Sequence, residues 1–484
     1  MVEHLTEIDI VARPGAQKGA VQHFLRTLEL AIPISAARTL IVIVFAVDTF
    51  MTGWAGPDQL AYLGLGIAPQ ITLMLVAVGA LQAIPVLTSQ AIGAGNPAYA
   101  GDILRTGFVL AILLGLLFLG AAYLSEQFYL AIGQDPLLSK EAAEVNKAFA
   151  FGMIGMLLFI AVNAFLEATG HPRVGMYVLI AMNLLNVPLN GVLALGWGLA
   201  GEGFGAYGAT LASSILRWIS FLACFVVLFR ISRQQSDPYR VIALPSVWAQ
   251  SVRKAFAPAN RTMLRIGFPM GLAQGVESAA FATIVLLAGL IGKNALAAHH
   301  ITMNVVSLVF MVAIGIASAT TIRVGNAYGR RSSDDIVRAG WMGILLSSIV
   351  PFCVMISFLV IPDVIAGLYT QDPATLSATV ATFKVAAIAL VLDAAMAVVL
   401  GALRGLGDVW VPLALQISAF WLIGVPTAWL FGLHFELGPP GLMIGIVVGV
   451  TLSFAALAVR WRTVSRRVIP KFSDDSRPLD SGSF

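Results

Sequence analysis

The sequence predicts an all-α integral membrane protein of twelve transmembrane helices in two six-helix lobes. Three observations predict it: long unbroken apolar runs, positive charge gathered on one side of those runs, and a chain that aligns with itself. Hydrophobic residues make up 58% of the 484 and charged residues only 11%, against roughly 25% charged in soluble domains. A bilayer is crossed by roughly 20 apolar residues in a helix. Apolar windows fall near 30–52, 63–90, 103–124, 145–166, 174–197, 205–230, 263–291, 300–326, 336–361, 380–404, 410–432 and 440–461. These runs lack the alternation of a membrane barrel strand, which excludes that architecture.

Charge orients the spans. Of 29 lysines and arginines, Lys140, Lys147, Lys293 and Lys384 fall on one side, Arg38 and Arg217 fall within spans, and all the others gather on the opposite side. The positive-inside rule places both termini in the cytosol, as an even number of spans requires. The basic excess follows topology, so no nucleic-acid partner is expected. The first 28 residues lack the early apolar core of a signal peptide. The expected organisation is a cytosolic segment 1–29, a six-helix lobe 30–230, a cytosolic linker 231–262 rich in Pro, Ser and basic residues, a second lobe 263–461 and a cytosolic tail 462–484. Cys224 and Cys353 lie inside apolar segments and read as buried reduced thiols.

The lobes are copies. A shift of 236 residues pairs Pro33 with Pro269, Gly53 with Gly289, Gly56 with Gly292, Gly79 with Gly315 and Gly93 with Gly329. A shift of 237 pairs "QDP" 134–136 with "QDP" 371–373, Gly170 with Gly407 and Gly208 with Gly445. Each unit has an even number of spans, so the copies run parallel and their pseudo-axis follows the membrane normal. Parallel repeats with substrate held between them are a recurring design of secondary transporters.

Three intramembrane acids are not duplicated: Glu277 faces Ile41, Asp48 faces Ile284 and Asp393 faces Met156. An acid at mid-membrane costs about 2.5–3.5 kcal/mol on insertion scales, so each needs a partner or a task, and asymmetry favours a task over scaffolding. Glu277 and Asp393 read as a proton- or cation-binding pair in the C-terminal half; a sodium ion could replace the proton there. Bonding to a backbone amide or to Arg217 is the bland alternative. Asp48 lies near the outer loop and could be solvated. Against that stands "NVPLN": Asn186 and Asn190 share a helix face, and Pro188 disturbs the backbone between them. Asn163, Asn183, Thr210 and Ser213 are further possible ligands, each also explained as an interhelical hydrogen bond. His299 and His300 are adjacent, point to different faces and suit an interfacial role. Phe310, Met311, Phe420 and Trp421 read as mostly lipid-facing or core residues, although adaptable Met and Phe surfaces suit a promiscuous apolar pocket.

The stretches "VDTFMTG" (47–53), "NVPLN" (186–190), "AAHHITMNVVSLVFMVAIGIASATTIRVGNAYG" (297–329) and "GALRGLGD" (401–408) resemble the multidrug and toxic compound extrusion (MATE) family, in its bacterial NorM-type branch. The resemblance spans about residues 25–460. It implies a V of two lobes in the bacterial inner membrane, expelling small cationic amphipathic compounds in exchange for protons or sodium ions, with no cofactor beyond the coupling ion. It also implies that Asp48, with Asn186 and Asn190 beside it, is a coupling residue, and that Glu277 and Asp393 belong to a cation site. A monomer is expected from the closed two-lobe design. One departure matters: Asp393 stands in "AIALVLDAAMAVV", where the branch has polar neighbours. Fewer oxygens there favour protons over sodium.

No GxxxxGK[ST] loop occurs, which argues against an ATP-driven pump, and no nucleophile-with-base motif points to an enzyme. A flippase for a lipid-linked oligosaccharide is the alternative of related fold. It needs cavity cations for an anionic head group, and only Arg38 and Arg217 lie within spans.

Overall fold

The computed structural model describes residues 20–198, 203–241 and 262–474. Residues 1–19, most of the expected linker and the end of the tail lie outside the described residues. Among the described residues there are helices and turns but no strand. Twelve helices are long and apolar enough to cross a bilayer. In the first lobe they are α1 (Ala20–Ala55), α2 (Pro57–Gly93, with a slight break near Gln82), α3 (Pro97–Tyr123), α4 (Pro136–Ala168), α5 (Pro172–Leu193) and α6 (Gly205–Gln234). In the second they are α7 (Thr262–Ile291), α8 (Lys293–Gly329), α9 (Ser333–Val360), α10 (Pro373–Gly405), α11 (Trp410–His434) and α12 (Gly438–Asp474).

Several helices start earlier than the apolar windows. α4 and α10 begin at the repeated QDP motif: Asp135 accepts from the backbone N–H of Leu137 and Leu138, Asp372 from that of Thr375, and a proline takes the first helical position in each. Both devices suit a helix N-terminus, whose first amides lack partners. α1 reaches back to Ala20 because its opening turns are polar as well as apolar, which a hydropathy window does not register. Duplication extends to the backbone: Gly56 (φ 135°) and Gly292 (φ 139°) make the same turn before α2 and α8. The short helices Ser125–Ala131 and Pro362–Gly367 likewise occupy equivalent places before the two QDP motifs.

The lobes meet at the end that carries Arg323, Arg404 and the start of the linker. Contacts there come in pseudo-symmetric pairs. A methyl group at Gly93 would lie 2.1 Å from the Asn326 carbonyl oxygen, and one at Gly329 would lie 2.1 Å from that of Gln90; Gln90 and Asn326 are themselves equivalent. Gly325 packs against Ser89, its own equivalent, so this pair sits on the pseudo-axis. Halfway along, Gly79 approaches Gly271 as Gly315 approaches Ser35. Small residues let backbones come this close. Cross-lobe hydrogen bonds run from Gln90 Nε2 to the Gly405 carbonyl (2.8 Å), from Ser35 Oγ to the Val312 carbonyl (3.2 Å) and from Arg323 to the His23 carbonyl (2.7 Å) and Thr27 Oγ1. At the other end, Cβ positions at Gly53, Gly56, Gly289 and Gly292 would meet nothing within 4 Å. The two lobes form a V.

Candidate functional site

Asp48 is 6% exposed, although it lies only two turns from the end of α1. Its Oδ1 accepts from Asn186 Nδ2 (3.1 Å) and Asn190 Nδ2 (2.8 Å), and its Oδ2 accepts from Ser213 Oγ. Asn186 also donates to Ser213 Oγ at 3.2 Å. The possibility of a solvated Asp48 is therefore replaced by a buried polar cluster joining α1, α5 and α6. The four-residue spacing in "NVPLN" puts both amides on one face, and α5 continues through Pro188. Thr210 caps the carbonyl of Ala206 in its own helix and Asn183 bonds to the carbonyls of Leu40 and Leu179, so neither joins the cluster.

Glu277 on α7 and Asp393 on α10 line one cavity of about 250 Å³ in the second lobe. Gln274, Ser278 and Ser307 are its polar neighbours, and Phe281, Phe310, Met303 and Met443 supply the apolar wall. Asp393 Oδ1 is buried with no hydrogen-bond partner among the described residues. Glu277 differs. It also lines a smaller cavity of about 70 Å³ with Arg404, Gln82 and Thr321. Arg404 lies near enough to attract it without an N–O contact inside 4 Å, and Gln416 stands beside it. α11 widens into π-type turns at Ser418–Gly424, and Trp421 Nε1 donates to the Val276 carbonyl at 3.0 Å, tying that helix to the turn that carries Glu277. One carboxylate is thus partly compensated and the other is bare.

Placement corrects three expectations. Cys353, expected as a buried thiol, is exposed, while Cys224 is buried. Arg404, assigned with the helix-end charges, points into the lobe beside Glu277. Asn163 serves a fourth acid that the sequence reading missed: Glu167, 1% exposed, accepts from Asn163 Nδ2 (2.6 Å) and faces Arg38 Nη2 at 3.4 Å. The apolar window ended at 166, one residue short of it. His299 is fully buried and His300 exposed, on different faces. Breaking a buried ion pair leaves a charge uncompensated. Arg38→Met is therefore expected to destabilise the protein by about 3 kcal/mol, and adding Glu167→Met should restore most of the loss; thermal unfolding in detergent measures both.

The family profile described as MatE matches residues 33–192 and 269–430, one block in each lobe. The chain belongs to the MATE family, in its NorM-type branch. It is 31% identical to the multidrug resistance protein NorM of Burkholderia vietnamiensis, covering 91% of this chain and 94% of that one. It is also 31% identical to the multidrug resistance protein PmpM of Pseudomonas aeruginosa, covering 91% and 92%. Among solved structures, a MATE in the bent conformation matches with a TM-score of 0.82 at 20% identity, over 94% of this chain and 100% of that one. The eukaryotic MATE transporter AtDTX14 matches with a TM-score of 0.79 at 20% identity, over 94% and 100%. Membership of this family makes the chain a multi-pass bacterial membrane transporter and not an enzyme.

Proposed function

We propose that this MATE protein is a multidrug exporter of the bacterial inner membrane, expelling cationic amphipathic compounds in exchange for protons, with both termini in the cytosol. The names of its relatives, multidrug resistance proteins, support multidrug export, and the buried acids of the second lobe support a cationic substrate. The observation that carries the coupling is the pairing of Glu277 with Asp393 on one cavity, where an oxygen of Asp393 has no partner. Burying a bare carboxylate is costly. A proton or a cationic substrate can relieve that cost, and the two compete for it. With the basic, linker-bearing side in the cytosol, the V opens outward, the state in which external protons would displace substrate. Only neutralised states would then reorient readily, which links the two fluxes.

Sodium is the other coupling ion this site could take, and Ser278, Ser307 and Gln274 are the neighbouring oxygen donors. Proteoliposomes loaded with a fluorescent cation distinguish the two under separately imposed gradients. Efflux driven by a pH gradient without sodium is expected. Efflux that needs a sodium gradient would assign the site to sodium, and efflux indifferent to both would refute coupling at these acids.

A further inference from the structure

The duplication brings two cavities into register. The first-lobe pocket, about 50 Å³, and the second-lobe cavity overlap under the repeat at four lining positions: Ile41, Phe45, Met156 and Ser213 of the first are equivalent to Glu277, Phe281, Asp393 and Val450 of the second. Their charges are opposite. Where the second lobe has its acids, the first has Ile41 and Met156; where the first has Arg217, the equivalent residue is Phe454.

Arg217 lies deep in α6, stacked over the rings of Phe149 (4.6 Å to centroid) and Phe45 (5.5 Å). It makes no hydrogen bond or ion pair among the described residues, and its Nη1 is buried without a partner. Asp48 is close enough to feel the charge, yet no carboxylate oxygen comes within 4 Å, and its oxygens are engaged by Asn186, Asn190 and Ser213. Cation–π contacts compensate a desolvated guanidinium only in part. Buried charges are otherwise paired. This one has no anion in direct contact, since its acidic neighbour Asp48 is already engaged by Asn186, Asn190 and Ser213, and the space beside it is apolar and partly open.

We infer that Arg217 makes the first-lobe pocket an anion-accepting subsite for the carboxylate of an aromatic, zwitterionic amphiphile whose cationic end faces the acids of the second lobe. The pocket volume suits a carboxylate with its point of attachment, while the aromatic body stays between the lobes. A guanidinium can donate two parallel hydrogen bonds to such a group. The inference deepens the export reading and rests on it for the cationic end alone.

A matched dye pair tests it. Rhodamine B carries a pendant carboxylate and is a zwitterion; its ethyl ester is a pure cation. Binding of both to the purified full chain in lipid nanodiscs is measured by fluorescence anisotropy, without any ion gradient. Arg217→Gln is expected to weaken rhodamine B at least about tenfold, the loss of one charge-assisted hydrogen bond, and to leave the ester within about twofold, with Arg217→Lys in between. Arg217→Phe, the residue of the other lobe, should behave as Arg217→Gln and serves if that variant fails to fold. Unchanged rhodamine B affinity in a folded variant, or equal losses for both dyes, would overturn the subsite. Failure of the wild-type protein to bind the ester would instead count against the export reading.

Discussion

Glu277→Gln and Asp393→Asn are each expected to abolish gradient-driven efflux, a loss of about a hundredfold or more, while the folded protein survives. The magnitude follows from the source of the work. Exchange of one proton for one monovalent cation moves no net charge, so one pH unit supplies only about 1.4 kcal/mol, a tenfold accumulation. A second proton would add the membrane potential, about 2.3 kcal/mol per 100 mV, or about fiftyfold more. Under the proposed exchange, a neutral amide at either position would remove the charge for which proton and substrate compete. The two variants should still differ. Asp393 Oδ1 has no partner to lose, so its replacement is expected to be neutral or stabilising; Glu277 has Arg404 and Gln416 beside it, so Glu277→Gln leaves a buried guanidinium less well matched and should lower thermal stability. Efflux assays paired with thermal unfolding read both effects. Wild-type transport in both variants would refute the assignment of the second-lobe acids.

A cross-link on the pseudo-axis is expected to stop transport completely and reversibly. Ser89 and Gly325 face each other where the lobes meet, and a Cβ at Gly325 would lie 3.3 Å from that of Ser89, near the 3.5–4.5 Å a disulfide spans. In a background without Cys224 and Cys353, Ser89→Cys with Gly325→Cys should oxidise readily and hold the lobes together at the linker end. Alternating access requires that end to part, so oxidised protein should show no efflux and reduction should restore it. Single-cysteine controls should be unaffected by oxidant. Efflux that persists after complete cross-linking would mean that the V does not rock about this contact.

The fold was largely legible because membrane physics leaves few options. Apolar runs, one-sided charge and the 236–237 residue shift define twelve parallel-duplicated helices before any coordinate is known. The caps at Asp135 and Asp372 were visible as a repeated motif, yet hydropathy windows began later, since a window senses lipid compatibility and not where amides need partners. Asp48, Asn186 and Asn190 could be grouped by spacing and cost alone. Two things were not legible. Glu167 lies one residue past an apolar window and on a different helix from Arg38, so although Arg38 stands out as a cation within a span, only packing reveals the pair. Arg404 resembles any cytosolic helix-end cation until α10 is seen to turn it toward Glu277. Opposite charges in equivalent pockets needed both the self-alignment and the cavities, because the residues that differ, such as Arg217 and Phe454, occupy equivalent positions without resembling each other.

The claim on which the rest depends is that substrate and coupling ion take turns at Glu277 and Asp393. Its most direct test is proton release on substrate binding, followed with a pH indicator in weakly buffered, sodium-free detergent solution as the rhodamine ethyl ester is added. The wild-type protein is expected to release protons in proportion to dye bound, and Glu277→Gln with Asp393→Asn is expected to release none. Binding with no release from the wild-type protein, or undiminished release from the double variant, would contradict competition at these two carboxylates.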